Sequence, residues 1–316
     1  MSNVPAVVET HLDALSYDSS GKIILGSSNL TGRYWNGSLW CFKDVSDAPE
    51  VEKCLAGTEL SSGICDLVCL DKSRTAVALD SGSLEIYHLD AESSNFTNEF
   101  RACEHDDFVT SISVSSDKTR LVSSSADKCI KVWDLDTYST TETYRPVHAG
   151  IIWQIACSTE DPHLFASCGQ DGKILLLDRR LAKPAVVIDS SPLKSEITAI
   201  SWNPHKSNQI AVGDESGHIA IKDIKKNVTL SSWDAHKRRV FRIKFSPRSP
   251  WLGSCSDDTD VCAMDLDKDI PTLMYKNNDH DDFVRDLAWS PENYLISCAW
   301  DKKVLKHVFT ETDVTV

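Results

Sequence analysis

Residues 105–134, HDDFVTSISVSSDKTRLVSSSADKCIKVWD, contain the pattern that decides the fold. The segment begins with a histidine and an apolar run, continues through serines to an acidic tight turn, and ends in a second apolar run with Trp133-Asp134. Its runs are four to six residues long and alternate between apolar and polar residues with a period of two, as in residues 130–133. This periodicity predicts short β-strands rather than helices.

The same pattern recurs about every 44 residues along the chain. Its clearest copies each begin with a histidine, and these histidines lie 43, 88 and 44 residues apart, where 88 is two periods. They are His105, His148, His236 and His280. Extending the period in both directions finds weaker copies, so that units start near residues 12, 64, 108, 151, 197, 240 and 284. Four antiparallel strands per unit, repeated seven times, predict an all-β, seven-bladed propeller.

The repeat also sets the domain organisation, because each unit needs its neighbours to bury its apolar faces. We therefore expect residues 1–316 to form a single propeller domain. The last unit ends its third strand near Val308 with little chain left. We expect the N-terminal residues Ala6-Val7-Val8 to supply the missing fourth strand and close the ring, with residues 310–316 as the alternative.

Charge narrows the class of partner. The chain has 33 basic and 47 acidic residues and a net charge of −14, which disfavours direct contact with nucleic acid because phosphates repel such a surface. A basic protein tail is the complementary ligand, and the alternative is that the charge serves solubility alone.

Cysteine usage and hydropathy indicate the compartment. None of the eleven cysteines forms a Cys-x-x-Cys pair, and most lie in strand-like runs where cysteine behaves as a small apolar residue. No run approaches 18 apolar residues, and residues 1–8 lack the features of a leader peptide. We expect a soluble, reduced, intracellular protein without membrane contact.

Histidine, serine and aspartate recur together, which raises the question of catalysis. The chain has no Gly-x-Ser-x-Gly elbow, Gly-rich phosphate loop or His-Glu-x-x-His motif. The set His105, Ser123, Asp127 and Trp133 instead resembles the structural tetrad of the WD-repeat family. That resemblance implies a buried chain of hydrogen bonds from Asp through His and Ser to the indole, and no enzyme activity. Other residues take the Trp place in other units, namely Tyr87, Leu177, Lys222, Met264 and His307.

Acidic loops precede the first strand of two units, at Asp106-Asp107 and at Asp281-Asp282. Because both occur at the same loop position, we interpret them as repeat features and expect no metal ion and no cofactor. They are our candidates for contacts with basic substrate tails.

The first unit departs from the pattern at residues 28–37, SNLTGRYWNG, where a short turn suffices elsewhere. Arg33, Tyr34 and Trp35 lie there between two glycines, and these residue types dominate binding hot spots. The alternative is a turn folded onto its own propeller. Ring closure would bring Phe283 and Trp300 of the last unit to the same face and side, so we expect these five residues to form a protein-docking surface.

Four segments, residues 30–44, 104–107, 129–134 and 282–291, are similar to the methylosome WD-repeat subunit family, and the similarity extends over essentially the whole chain. It implies a non-catalytic member of a hetero-oligomer that docks on a symmetric-dimethylating protein arginine methyltransferase. It also implies presentation of histones and spliceosomal Sm proteins, and thus a role in snRNP assembly, in the cytoplasm and the nucleus. The alternative is a chaperone-type histone-binding propeller, or a ubiquitin-ligase substrate receptor, that acts without the methyltransferase.

Overall fold

The structure is a computed structural model that describes residues 5, 7–31, 34–90, 94–181, 186–193, 195–268 and 270–309. These residues form seven antiparallel sheets, six with four strands and one with three. Each sheet contains strands that follow one another in the chain, joined by hairpins. This arrangement confirms the predicted seven-bladed β-propeller.

The first four blades contain sixteen strands. Blade 1 contains β1 (His11–Tyr17), β2 (Ile23–Thr31), β3 (Tyr34–Phe42) and β4 (Ala56–Leu60). Blade 2 contains β5 (Ile64–Cys69), β6 (Arg74–Leu79), β7 (Ser83–Asp90) and β8 (Asn95–Cys103). Blade 3 contains β9 (Val109–Val114), β10 (Arg120–Ser125), β11 (Ile130–Asp134) and β12 (Ser139–Tyr144). Blade 4 contains β13 (Ile152–Cys157), β14 (Leu164–Gly169), β15 (Ile174–Asp178) and β16 (Val186–Ile188).

The remaining strands form the last three blades. Blade 5 contains β17 (Ile197–Trp202), β18 (Gln209–Asp214), β19 (His218–Asp223) and β20 (Val228–Asp234). Blade 6 contains β21 (Val240–Phe245), β22 (Trp251–Ser256), β23 (Val261–Asp265) and β24 (Thr272–Asn277). Blade 7 contains β25 (Val284–Trp289), β26 (Leu295–Ala299) and β27 (Val304–His307). The helices of the described residues are two single 3₁₀ turns, Val45–Asp47 and Val51–Lys53, and no described helix is long and apolar enough to span a membrane.

The first strand of every blade lies at the centre of the ring. Each contacts the first strand of the next blade, and β25 contacts β1, so the ring is closed. Side chains on these strands join the blades by hydrogen bonds to backbone N–H groups. Asp286 Oδ2 accepts from Leu15 N at 2.9 Å, and Asp66 Oδ2 accepts from Ile112 N at 3.0 Å.

The apolar core lies between the blades. Val122, Ile130 and Val132 of blade 3 pack against Ile155 and Phe165 of blade 4, and every one of these side chains is buried. The middle strands are therefore apolar on both faces, whereas the outer strand β12 alternates between exposed and half-buried residues. This difference explains why the sequence pattern is strongest in the first three strands of each unit.

Ring closure at the chain ends differs in one detail from the expectation. Blade 7 has three strands in the described residues, and Val7 and Val8 have no strand conformation. Val8 is only 1% exposed and packs against Ala288 and Ile296 of blade 7, so the N-terminal segment adds to the core between blades 7 and 1. Ala6 and residues 310–316 lie outside the described residues.

The insertion in the first unit is a longer hairpin and not the extended turn that the sequence suggested. β2 and β3 have nine residues each and stay paired to their ends, with Leu30 opposite Trp35. Pairing every backbone group along this extension costs less than leaving the same groups in a long loop. A second insertion, between β3 and β4, holds the two 3₁₀ turns and was not predicted.

Candidate functional site

The predicted tetrad of blade 3 is one continuous hydrogen-bonded chain. His105 Nδ1 lies 2.9 Å from Asp127 Oδ2, and His105 Nε2 lies 2.8 Å from Ser123 Oγ, which also accepts a 2.9 Å bond from Trp133 Nε1. Burial raises the pKa of Asp127, but the hydrogen bond and charge of His105 outweigh it and hold that pKa well below its usual range. Ser123 has no exposed surface, so its hydroxyl cannot meet a substrate. The geometry is that of a structural support.

Three other blades repeat the His–Asp and His–Ser contacts. The sets are His148 with Asp171 and Ser167, His236 with Asp258 and Ser254, and His280 with Asp301 and Ser297, at 2.7–3.2 Å. In blade 7 the Trp place holds His307, whose Nε2 lies 2.8 Å from Ser297 Oγ. Burial lowers the pKa of His307 to about 4, and it also lowers the pKa of His148 and His280. Burial therefore favours the neutral form of these imidazoles.

Two blades without the histidine use other polar networks that the sequence did not reveal. In blade 2, Glu85 is buried and accepts hydrogen bonds from Ser61, Tyr87 and Asn98 at 2.6–3.0 Å. In blade 1, Trp40 Nε1 donates to Ser38 Oγ at 2.8 Å. These networks occupy the place of the tetrad, because buried polar groups need partners wherever the histidine is missing.

One group among the described residues has metal-ligand geometry, namely His236, Asp258 and Asp260. It is the tetrad of blade 6 with one added carboxylate. Both ring nitrogens of His236 already contact Asp258 and Ser254, and Asp260 forms a 2.7 Å ion pair with Lys276. These atoms are occupied by protein groups, so the cluster is better explained by structural pairing than by a metal ion.

The predicted docking residues lie on the face that carries the loop before each first strand and the turn between second and third strands. We call it the upper face. Trp35 and Trp300 approach each other there through His11, whose ring centroid lies 5.4 Å from that of Trp35 and 4.6 Å from that of Trp300. Phe283 follows at 5.8 Å from Trp300. The structure thus brings three predicted residues together, and it adds His11, which sequence reasoning missed.

Trp35 is half-buried against the neighbouring blade. Its Cβ lies so close to blade 2 that a Cβ added to Gly63 would stand 2.8 Å from it. Leu30, directly opposite Trp35 across the hairpin, is 50% exposed. Directly opposite residues of an antiparallel pair present their side chains on the same face, so Leu30 extends the apolar surface of Trp35. Arg33 lies outside the described residues, and so does the side chain of Tyr34.

The acidic loops do not form one patch. Asp106 and Asp107 are exposed on blade 3, whereas Asp281 and Asp282 belong to blade 7, with two blades between them on the shorter path. Asp281 is neutralised in part by Lys303, whose Nζ lies 2.6 Å from its carboxylate. The blade 3 pair is therefore the stronger candidate for attracting a basic tail.

Comparison with known proteins places this architecture in a family. The model of the WD domain, G-beta repeat, matches residues 97–134 and 271–305, and that of the anaphase-promoting complex subunit 4 WD40 domain matches residues 154–248. Methylosome protein WDR77 of Xenopus laevis is 35% identical over 306 residues, which cover 96% of this chain and 91% of that protein. The chain belongs to the WDR77 family of WD-repeat proteins.

More distant relatives share the fold. The protein transport protein sec13 of Emericella nidulans is 26% identical over 235 residues, covering 63% of this chain and 76% of that protein. A chain in the crystal structure of the mitotic checkpoint complex superposes with a TM-score of 0.77 at 20% identity, covering 98% of this chain and 90% of the other. At that identity the likeness shows the propeller fold alone.

Proposed function

We propose that this chain is a non-catalytic adaptor subunit of a methylosome, in which it docks a symmetric-dimethylating protein arginine methyltransferase and presents basic substrates to it. The observation that carries the proposal is the upper-face hairpin, which displays Trp35 and Leu30 beside Trp300. It accompanies 35% identity to a methylosome protein over 96% of the chain.

The hairpin has the properties of a docking element. A regular two-stranded extension holds Trp35, whose ring contacts that of His11 and whose Cβ lies against Gly63. These contacts reduce the side-chain freedom that remains to be lost on binding. The side chain is only partly buried, and the exposed Leu30 extends its apolar area. Tryptophan in a desolvated pocket is among the strongest interface anchors.

An adaptor role fits the polar chemistry better than catalysis does. The His–Ser–Asp sets that resemble a catalytic constellation are buried in four blades, and their serine hydroxyls have less than about 2% exposure. A nucleophile must meet its substrate, and these hydroxyls bond to histidine instead.

Substrate presentation rests on charge. A net charge of −14 and the exposed Asp106-Asp107 loop favour the basic tails of histones and Sm proteins, whose arginines the methyltransferase would modify. Substrates of these two kinds would require the complex in both the nucleus and the cytoplasm, with a role in snRNP assembly.

Affinity purification of the tagged chain from cell extract tests the proposal. We expect an arginine methyltransferase to co-purify in near-stoichiometric amount and the eluate to form symmetric dimethylarginine on a histone tail peptide. The chain purified alone should form none. Recovery of histones or a ubiquitin ligase without methyltransferase would favour the alternative receptor role and contradict the proposal.

A further inference from the structure

A cavity of about 140 Å³ opens at the centre of the upper face, between the first strands of the blades. Its floor is Arg242, which is 5% exposed on its side chain and crosses the channel from blade 6 to bond Asp66 of blade 2 at 2.8 Å. Lys244 pairs with the neighbouring Asp286 at 2.9 Å. The cavity is therefore a blind bowl, closed below by paired charges.

Two further arginines form the wall of the bowl, and both stack on aromatic rings. The guanidinium carbon of Arg285 lies 3.7 Å from the ring centroid of Phe241 and 4.6 Å from that of Trp300. The guanidinium carbon of Arg239 lies 4.1 Å from the ring centroid of Trp153. Stacking uses the faces of the guanidinium groups and leaves their N–H edges for in-plane partners.

Those edges lack close partners in the described part of the chain. The Nε atoms of Arg239 and Arg285 are buried without a hydrogen bond. The nearest carboxylates to Arg285 belong to Asp13 and Asp257, at 3.9 and 4.0 Å, which is beyond hydrogen-bond distance. Burial lowers the pKa of both arginines. Largely buried cations at such distances from carboxylates are only partly compensated, and an anion placed between these groups would give them hydrogen-bonded partners.

The charges around the bowl decide the sign of its ligand. Three arginines and one carboxylate, Asp13, line it, and Asp257 lies 4.0 Å from Arg285. Arg242 is already paired with Asp66, so Arg239 and Arg285 are the arginines that lack a close carboxylate. Burial raises the pKa of Asp13 and of Asp257. A lysine or arginine from a substrate tail would meet like charge here, so basic tails belong on the outer acidic loops instead.

We propose that this bowl binds the carboxylate of a glutamate or aspartate side chain carried by an acidic segment of a partner protein. The planar carboxylate matches the guanidinium edges of Arg239 and Arg285, and the rings of Phe108 and Trp153 offer an apolar wall to its methylene groups. A phosphate dianion would face stronger repulsion from Asp13. The site goes beyond the docking role of Trp35 and does not require that the partner be a methyltransferase.

Fluorescence anisotropy with the intact chain tests this site. The probe is a fluorescein-labelled hexapeptide of alternating glutamate and glycine, compared with the same peptide containing glutamine or phosphoserine. We expect the glutamate peptide to bind at least tenfold more tightly than the glutamine peptide, and Arg239→Met to remove that difference because it keeps the stacking volume but not the donors.

Arg248→Met is the matched control, since it removes the same charge from an exposed turn on the opposite face. Melting temperatures confirm that both variants are folded. Each of three results would overturn the proposal. The glutamate and glutamine peptides could bind equally well, Arg239→Met could bind the glutamate peptide as tightly as the wild type does, or the phosphoserine peptide could bind more tightly than the glutamate peptide. None of these outcomes bears on methyltransferase capture, so the adaptor role is tested separately.

Discussion

Removing the histidine of the blade 3 tetrad should destabilise the fold by an amount that the contacts define. In His105→Ala, Ser123 keeps only the Trp133 indole as partner. Asp127 keeps two backbone donors, from Asp106 and Cys129 at 3.0 and 2.8 Å, so its charge stays partly solvated. The variant loses one hydrogen bond to a charged group and one to a buried hydroxyl. Because the backbone donors compensate in part, we expect its free energy of unfolding to fall by about 2–3 kcal/mol.

Urea unfolding followed by circular dichroism measures this loss. With a slope of about 3 kcal/mol/M for a chain of this size, the midpoint should fall by roughly 1 M. His163→Ala, at an exposed position, is the control, and its free energy of unfolding should stay within about 0.5 kcal/mol of the wild-type value.

A double-mutant cycle then isolates the His–Asp contact. His105→Ala and Asp127→Ala should together cost less than the sum of their separate effects, with a coupling of about 1 kcal/mol or more. Additive changes in the free energy of unfolding would refute the structural role of this contact. A His105→Ala variant that is as stable as the wild type yet abolishes methyl transfer in the complex would point to a chemical role instead.

Three further predictions follow from the site. Binding of an arginine- and glycine-rich peptide should weaken about tenfold between 25 and 200 mM salt, and salt-independent affinity would argue against electrostatic capture. The folded pKa of His307 is about 4 against 6.5 unfolded, so stability should be full above pH 6.5 and fall by about 3 kcal/mol as pH drops to 4. His307→Trp keeps an N–H donor for Ser297 but has no group that titrates in this range. Its melting temperature should therefore fall less than that of the wild type between pH 6.5 and 4, and an equal fall would be contrary evidence. Gly63→Ala should displace Trp35 and weaken methyltransferase capture at least threefold, whereas Gly150→Ala, with an equal clash against blade 4, should not.

The sequence predicts this fold well because a propeller repeats one local pattern. Each unit carries its own alternating strands and acidic turn, so the boundaries of the blade at residues 109–144 follow from the segment that contains Asp127 and Trp133. The tetrad was equally accessible, since its members lie at fixed distances along one unit. Ring closure allowed Trp35, Phe283 and Trp300 to be placed on one side of one face.

Contacts between distant units were not predictable in the same way. Two such contacts depend on where side chains point across the ring. One is the placement of His11 between Trp35 and Trp300, and the other is the ion pair between Arg242 and Asp66. No spacing along the chain encodes these directions. The hairpin geometry of β2 and β3 was missed because two glycines suggest a turn, whereas the register between the strands extends their pairing to the tip.

The adaptor account stands most directly on Trp35. We expect Trp35→Ala to weaken capture of the methyltransferase by about 2–4 kcal/mol, or roughly thirty- to a thousand-fold in Kd, measured by biolayer interferometry. Its melting temperature should stay near that of the wild type, because the indole is only half-buried and lies outside the apolar core between the blades. Trp233→Ala, which removes a half-buried indole from the outer strand of blade 5, controls for loss of bulk and should bind normally. A Trp35→Ala protein that melts much earlier but, once folded, binds the enzyme with wild-type affinity would contradict the account.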